Sequence, residues 1–564
     1  MMRTPLLLAC ALLAGCASAP SSAPGALPYD LLIRNGVVYD GSGDAPKRAD
    51  VAIRGDRIAA LLAPGAAADA NEIVDVQGQA VSPGFINVLS WAGDALIEDG
   101  RGMSDTLQGV TLEIFGEGTS GGPLTPAMRA EMLQLQDDIR YDITWDSFGG
   151  YLEHLERKGV TPNVASFVGA TTVRQNVIGN APRAATAEEV ARMQALVRQA
   201  MREGALGVGS SLIYEPATNA ETSELVALAK AAGESGGGYI SHIRDEGEKL
   251  LESIDELIAI GRDAGVHAEA YHLKASGVRN WPKMAQAIAR IQAAREAGQP
   301  VTADMYLYPA SSTGLDTQLP KWVREGGAAE RIARLKDPVQ RGRAIADVEV
   351  EIARRNPAEL DALRRTLLVQ FRSEALKPLT GRTLAQVAGQ RGSDLATTIV
   401  DLIAEDESRV GVVFFSMSED NVRLGLRQPW VSLGSDGASE APEGVFLKGS
   451  THPRAYGNFA RLFARYVREE QLLSVQEAVR RVTALPARNW KLTGRGCLDP
   501  GCHADIVVFD PGTIQDHASF AKPMQYATGV RQVWVNGVRV VRDGAHTGAT
   551  PGRVVRGPGW KGAR

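Results

Sequence analysis

Four side chains carry the chemistry open to this sequence: Glu117, His242, His272 and Asp436. Each lies at or just beyond the end of a short apolar run that reads as a β-strand. Glu117 follows residues 110–115, His242 closes 238–242, His272 falls in 267–273 and Asp436 follows 430–435. Two imidazoles and a carboxylate suit zinc, and a catalytic zinc takes three protein ligands and keeps one position for water or substrate. The chain has only 8 histidines in 564 residues, so two at equivalent strand ends are informative. His267 differs, because strand alternation turns it away from the side of His272 and makes packing its better reading. The remaining histidines lie in helices, loops or the terminal strands; His452, in Thr451-His452-Pro453-Arg454, is the one in a loop near the strand ends.

Eight apolar runs could position these groups: 85–89, 110–115, 163–168, 206–210, 238–242, 267–273, 300–306 and 430–435. Amphipathic helical stretches separate them, among them 188–203 with Val190, Met193, Leu196, Val197 and Ala200 on one stripe, and 250–262 with Leu250, Ile254, Leu257 and Ile258. Strands alternating with helices imply parallel βα units. The expected fold is therefore α/β, a (β/α)8 TIM-like barrel over residues 83–495, with working groups at the carboxyl ends of its strands. The span from Pro83 to Asp436 exceeds the ~250 residues of a typical barrel by roughly 100, and the charged, helix-rich stretch 321–409 is the expected insertion. Both chain ends carry an Asn-Gly dipeptide between apolar runs, Asn35-Gly36 and Asn536-Gly537, which reads as a hairpin turn in each case. Residues 29–82 and 496–557 are thus expected to build one small β-sandwich domain.

Composition excludes other classes. A net charge of -5, with 61 Lys+Arg against 66 Asp+Glu and no long basic run, leaves no electrostatic footprint for nucleic acid. Residues 1–16 read as an export signal: Arg3, an apolar run, then Leu13-Ala14-Gly15-Cys16, which resembles a bacterial lipobox, with a plain signal cut near Ala17-Ser18-Ala19 as the alternative. The expectation is an exported, periplasmic lipoprotein anchored through Cys16, with 17–28 as a flexible linker. Cys497 and Cys502 are the two cysteines left in the folded body, and either a local disulfide or two free thiols is compatible with their spacing.

The segments VSPGFIN (81–87), GVTLEIFGEG (109–118), YISHIRDEG (239–247), YHLKASG (271–277), DMYLYPASST (304–313), LGSDG (433–437) and HPRAYGNFARL (452–462) resemble the amidohydrolase superfamily and, within it, the D-aminoacylases. The resemblance covers the chain from its first strands to its last. It implies a metal held by Glu117, His242 and His272, with Asp436 as general base. It further implies that Tyr214, Lys274, Tyr306 and Ser312 hold the substrate's carboxylate and carbonyl, and that Arg454 is a further cationic candidate. The expected substrate is a small N-acyl amino acid, most simply an N-acyl-D-amino acid cleaved to a D-amino acid and a carboxylate. In one respect the sequence departs from the family. Where relatives end strand one with Asp-x-His-x-His for a second metal, this chain reads Asn87-Val88-Leu89-Ser90-Trp91. Neither Leu89 nor Trp91 can ligate, so one Zn²⁺ per chain is expected, another divalent ion being compatible with the same ligands, and Trp91 is expected to be an apolar wall for an acyl group. Two alternatives stay open on the residues: a different amidohydrolase acting on a cyclic amide or dipeptide, and a non-catalytic membrane-tethered binding protein.

Overall fold

A computed structural model describes residues 28–562. The export signal, the lipobox with Cys16 and nearly all of the linker lie outside the described residues. Among those described, no helix is long and apolar enough to cross a membrane.

Both chain ends enter one nine-stranded sheet. The first strand, Tyr29–Val38, pairs antiparallel with Lys47–Arg54 and parallel with Ala70–Asp75 and Ala80–Pro83. Ala80–Pro83 then takes Ile506–Phe509 from the far end as its antiparallel neighbour, which pairs in turn with Val530–Val535. Leu31, Ile33, Val51, Val81, Ile506 and Trp534 fill one apolar core, so neither end closes it alone. The two Asn-Gly dipeptides behave differently. Asn536-Gly537 turns a hairpin between Val535 and Val538. Asn35-Gly36 does not: it sits inside the single strand Tyr29–Val38 as a bulge, Asn35 at φ 61 with its N–H on Asp50 Oδ1 at 2.9 Å. Residues on either side of it pair with outside strands rather than with each other, and that pairing overrides the local turn preference. Cys497 and Cys502 form a disulfide.

The eight barrel strands run Phe85–Asn87, Val110–Phe115, Asn163–Ser166 continued by Val168–Gly169, Gly207–Ser211, Gly238–His242, Ala268–Ala270, Val301–Met305 and Val431–Leu433. Their pairings are parallel throughout. Closure between the eighth strand and the first is made by Val88 N to Leu433 O (3.4 Å) and Asp436 N to Leu89 O (2.9 Å). The strands are buried on both faces, Val110–Phe115 at every position, which is why they read as continuous apolar runs rather than alternating ones. The helix Ala187–Glu203 starts on a capping box of Thr186 and Glu189, buries Met193, Val197, Ala200 and Met201, and stops at Gly204 in the left-handed region.

The insertion is wider than 321–409 and is not purely helical. It includes a three-stranded antiparallel sheet, Ser311–Gly314, Gly411–Phe414 and Leu367–Gln370, against which its helices pack around Leu315, Val348, Leu368, Ile399 and Ile403. Four-residue strands flanked by long helices are too short to stand out by periodicity.

Candidate metal and substrate site

Glu117 leaves the second barrel strand between two glycines that no other residue could replace without strain. Gly116 has φ 109, and a Cβ there would lie 2.4 Å from the Phe167 carbonyl oxygen; Gly118 has φ 73, and its Cβ would lie 2.4 Å from Ser211 Cβ. This tight crossing presents the buried Glu117 carboxylate to the barrel axis. His242 and His272 meet it from strands five and six, His242 Nδ1 at 2.7 Å and His272 Nε2 at 3.2 Å from the same Oε1. The imidazole rings stand perpendicular, centroids 4.4 Å apart. His272 (φ 34) and Asp436 (φ 50) are both held in the left-handed region, a strain that surrounding structure sustains at working positions.

One ligand atom from each of Glu117, His242 and His272 falls within 4.8 Å of the others, all three residues being buried. The electrostatics call for a cation there. Burial and the Lys274 charge oppose protonation of His272, yet the carboxylates Glu246 and Glu117 on its two nitrogens overcome them and raise it to about 10. Glu117 is itself buried, but its bonds to the two imidazoles hold it well below the ordinary carboxylate range. His242 Nε2 is buried without a hydrogen-bond partner. A buried carboxylate and two buried imidazoles that converge on one point, His242 Nε2 being unpartnered, fit a divalent ion.

Glu246, in the stretch HIRDEG, is a site residue that the strand-end rule did not select. Its Oε1 accepts from Lys274 Nζ at 2.6 Å and lies 3.2 Å from His272 Nδ1 and 3.7 Å from His242 Nε2. A carboxylate behind a ligating histidine fixes its ring and tautomer. Its position, four residues past His242, was the available signal.

The residues inferred for substrate binding line one cavity of about 1360 Å³ together with Glu117, His242, His272 and Asp436. Their side chains are not all free for substrate. Lys274 pairs with Glu246 and also reaches His272 Nδ1 at 2.8 Å. Ser312 Oγ donates to the Val412 carbonyl, Tyr306 O–H to Met417 Sδ at 3.2 Å, and Tyr214 O–H shares a hydrogen bond with Thr313. Arg454, buried over the Tyr306 ring, pairs with Asp436 (Nη1 to Oδ2 2.8 Å), and its Nε is buried without a hydrogen-bond partner. Burial raises Asp436, and the Arg454 charge opposes that rise. Arg409, which sequence reasoning passed over inside the insertion, covers the Tyr214 ring and pairs with Asp316 at the same cavity. His452 is buried with Nε2 on the Ala310 carbonyl, and His267 packs on Trp490 with Nε2 on Thr302, away from the site.

Trp91 is more than an apolar wall. Its Nε1–H lies 3.0 Å from both Glu117 Oε2 and Asp436 Oδ1, bridging the two carboxylates, while the ring is 47% exposed to the cavity. The neighbouring Leu89 is buried, and Asn87 donates to Glu113, Asp105 and Ser435, tying strand one to the strand that carries Asp436.

A model of the amidohydrolase family matches residues 139–541. The D-aminoacylase of Alcaligenes xylosoxydans xylosoxydans is 34% identical over 532 residues, covering 94% of this chain and 98% of the relative. A D-aminoacylase structure, described for one-metal activation and second-metal attenuation at its binuclear centre, superposes with a TM-score of 0.78 at 32% identity, covering 94% of this chain and 100% of the other. The N-acyl-D-glutamate deacylase of Bordetella bronchiseptica, solved with zinc and a phosphonate mimic of the tetrahedral intermediate, gives 0.76 at 30% with the same coverage.

Proposed function

The chain belongs to the amidohydrolase family, and we propose that it is a metal-dependent hydrolase that cleaves N-acyl-D-amino acids to a D-amino acid and a carboxylate with a single ion, zinc, per chain. The observation that carries this reading is the convergence of His242 Nδ1 and His272 Nε2 on one oxygen of Glu117. The single-ion part rests on Leu89 and Trp91, at the positions where the family resemblance implies a His-x-His pair; neither side chain can ligate a metal. The D-amino acid part is supported by relatives that match nearly the whole chain and are named for such substrates.

A zinc ion at such a site acidifies water and polarises an amide carbonyl. The protein's own residues do the rest. Asp436 faces the ligand cluster across the Trp91 N–H and is placed to take a proton from the attacking water and return it to the departing amine. Arg454 Nη1, beside Asp436, favours its ionised form, and the unpartnered Arg454 Nε suits a substrate carboxylate. Glu246 and Lys274 hold His272 in place. Purified protein is expected to contain about one zinc and to release amine from N-acetyl-D-amino acids in a chelator-sensitive way, with the L enantiomers as controls. Metal-free protein that cleaves no amide would overturn the reading.

A further inference from the structure

A second cavity, of about 540 Å³, opens beside the first and shares a common wall with it that includes Trp91, Glu117, Leu135, Asp137 and Glu440. Its size is that of a site for a small organic ligand. The two differ in charge. Lys274, Arg409 and Arg454 line the first, whereas no lysine, arginine or histidine lines the second. In their place stand the aromatic and apolar groups Leu124, Met128, Met132, Trp145, Tyr151 and Phe446, with Asp94, Glu131 and Asp138 added to the shared acids Asp137 and Glu440. Met128 and Met132 project from the helix Pro126–Leu135, none of whose residues is fully buried, so this wall consists of unbranched, adaptable side chains. Burial raises Asp94, Asp137 and Glu440, so an anion beside them would be resisted, and the nearby lysines, Lys377 and Lys448, are already paired with Asp138.

An N-acyl amino acid is itself divided in this way. Its carboxylate belongs with cations, and its acyl group leaves the scissile carbonyl in another direction. With the carboxylate at Arg454 and the carbonyl at Glu117 and the histidines, the second cavity opens past Trp91 as an apolar recess beside the scissile bond. We propose that this cavity is the acyl site and selects an uncharged, apolar acyl group longer than acetyl, such as a medium-chain or aryl-alkyl acyl. An acetyl methyl would leave most of it unfilled, and a dicarboxylic acyl group such as succinyl would place an anion among Asp94, Asp137 and Glu440. The inference rests on the deacylase reading but concerns a different part of the molecule.

Two measurements on the zinc-loaded protein separate the two claims. Calorimetric binding of acetate, butyrate, hexanoate and octanoate, the acids that deacylation would release, is expected to tighten about two- to fourfold per added methylene. Succinate is expected to bind more weakly than butyrate. In turnover, kcat/KM for N-octanoyl-D-methionine should exceed that for N-acetyl-D-methionine, and Met132→Trp, which narrows the cavity, should lower that ratio at least tenfold. A flat binding series, or a ratio that Met132→Trp leaves unchanged, overturns the acyl-site assignment even if the acetyl substrate is cleaved. Loss of all turnover with a steep binding series overturns the deacylase reading and leaves the cavity's preference established.

Discussion

Replacing Trp91 with Phe keeps an aromatic ring in the cavity and removes one N–H. In the structure that N–H lies 3.0 Å from Glu117 Oε2 and 3.0 Å from Asp436 Oδ1, so the two oxygens are at most about 6 Å apart. Two carboxylates at about 6 Å and an effective dielectric of ~20 repel by roughly 3 kcal/mol. The bound ion and Arg454 offset much of this repulsion. What survives is the loss of a donor to charged acceptors, about 1.5–3 kcal/mol. If Asp436 moves the proton, that energy is lost from the transition state, and kcat should fall by roughly 10- to 150-fold. KM should change little, because Arg454 is untouched. Zinc content should stay near one per chain, because Glu117, His242 and His272 all remain. The assay is steady-state kinetics on N-acyl-D-amino acids with elemental analysis and a thermal melt on the same preparation. Full kcat in a zinc-loaded, folded Trp91→Phe protein would refute the bridging role; loss of zinc together with activity would mean that the indole serves the ligand Glu117 rather than Asp436.

Two other substitutions probe what stands behind the site. Glu246→Gln removes the charge shared by Lys274 and His272, and by analogy with other groups behind metal ligands should weaken zinc affinity or kcat by about 10- to 100-fold, read by competition with a chelating dye; unchanged affinity and turnover would show that the histidines hold their geometry without it. Glu269, fully buried beneath the site with Thr302 and Asn489 as donors, is raised by burial to about 7 from 4.5. A carboxyl raised on folding favours the fold below its unfolded value, and that advantage is lost as pH rises through about 7. At pH 8 the burden is therefore on the order of 3 kcal/mol. Glu269→Gln should be more resistant to denaturant than the parent at pH 8 and about equal at pH 4.5, and equal midpoints at both would exclude this carboxyl as a source of pH dependence.

Local pattern was sufficient for much of this molecule. The eight barrel strands are buried on both faces, so apolar residues predominate in them, and such runs separated by amphipathic helices admit few other architectures. Glu117, His242, His272 and Asp436 followed because strand ends are countable in a sequence. Nothing local, however, states what a side chain meets across the barrel. Asn35-Gly36 and Asn536-Gly537 are the same dipeptide, and pairing partners far along the chain made one a bulge and the other a hairpin. Trp91 looked apolar because a sequence lists its ring and not its neighbours; only closure of strand one against strand eight put its N–H between Glu117 and Asp436. Lys274 was read as a substrate cation, and folding set it against Glu246. The residue types and their order along the chain fixed which groups reach the barrel mouth, since the period of a strand is a local property. Which of those groups spend their charge and hydrogen bonds on one another is a matter of distances between segments as far apart as Trp91 and Asp436, 345 residues, and tertiary packing alone sets those distances.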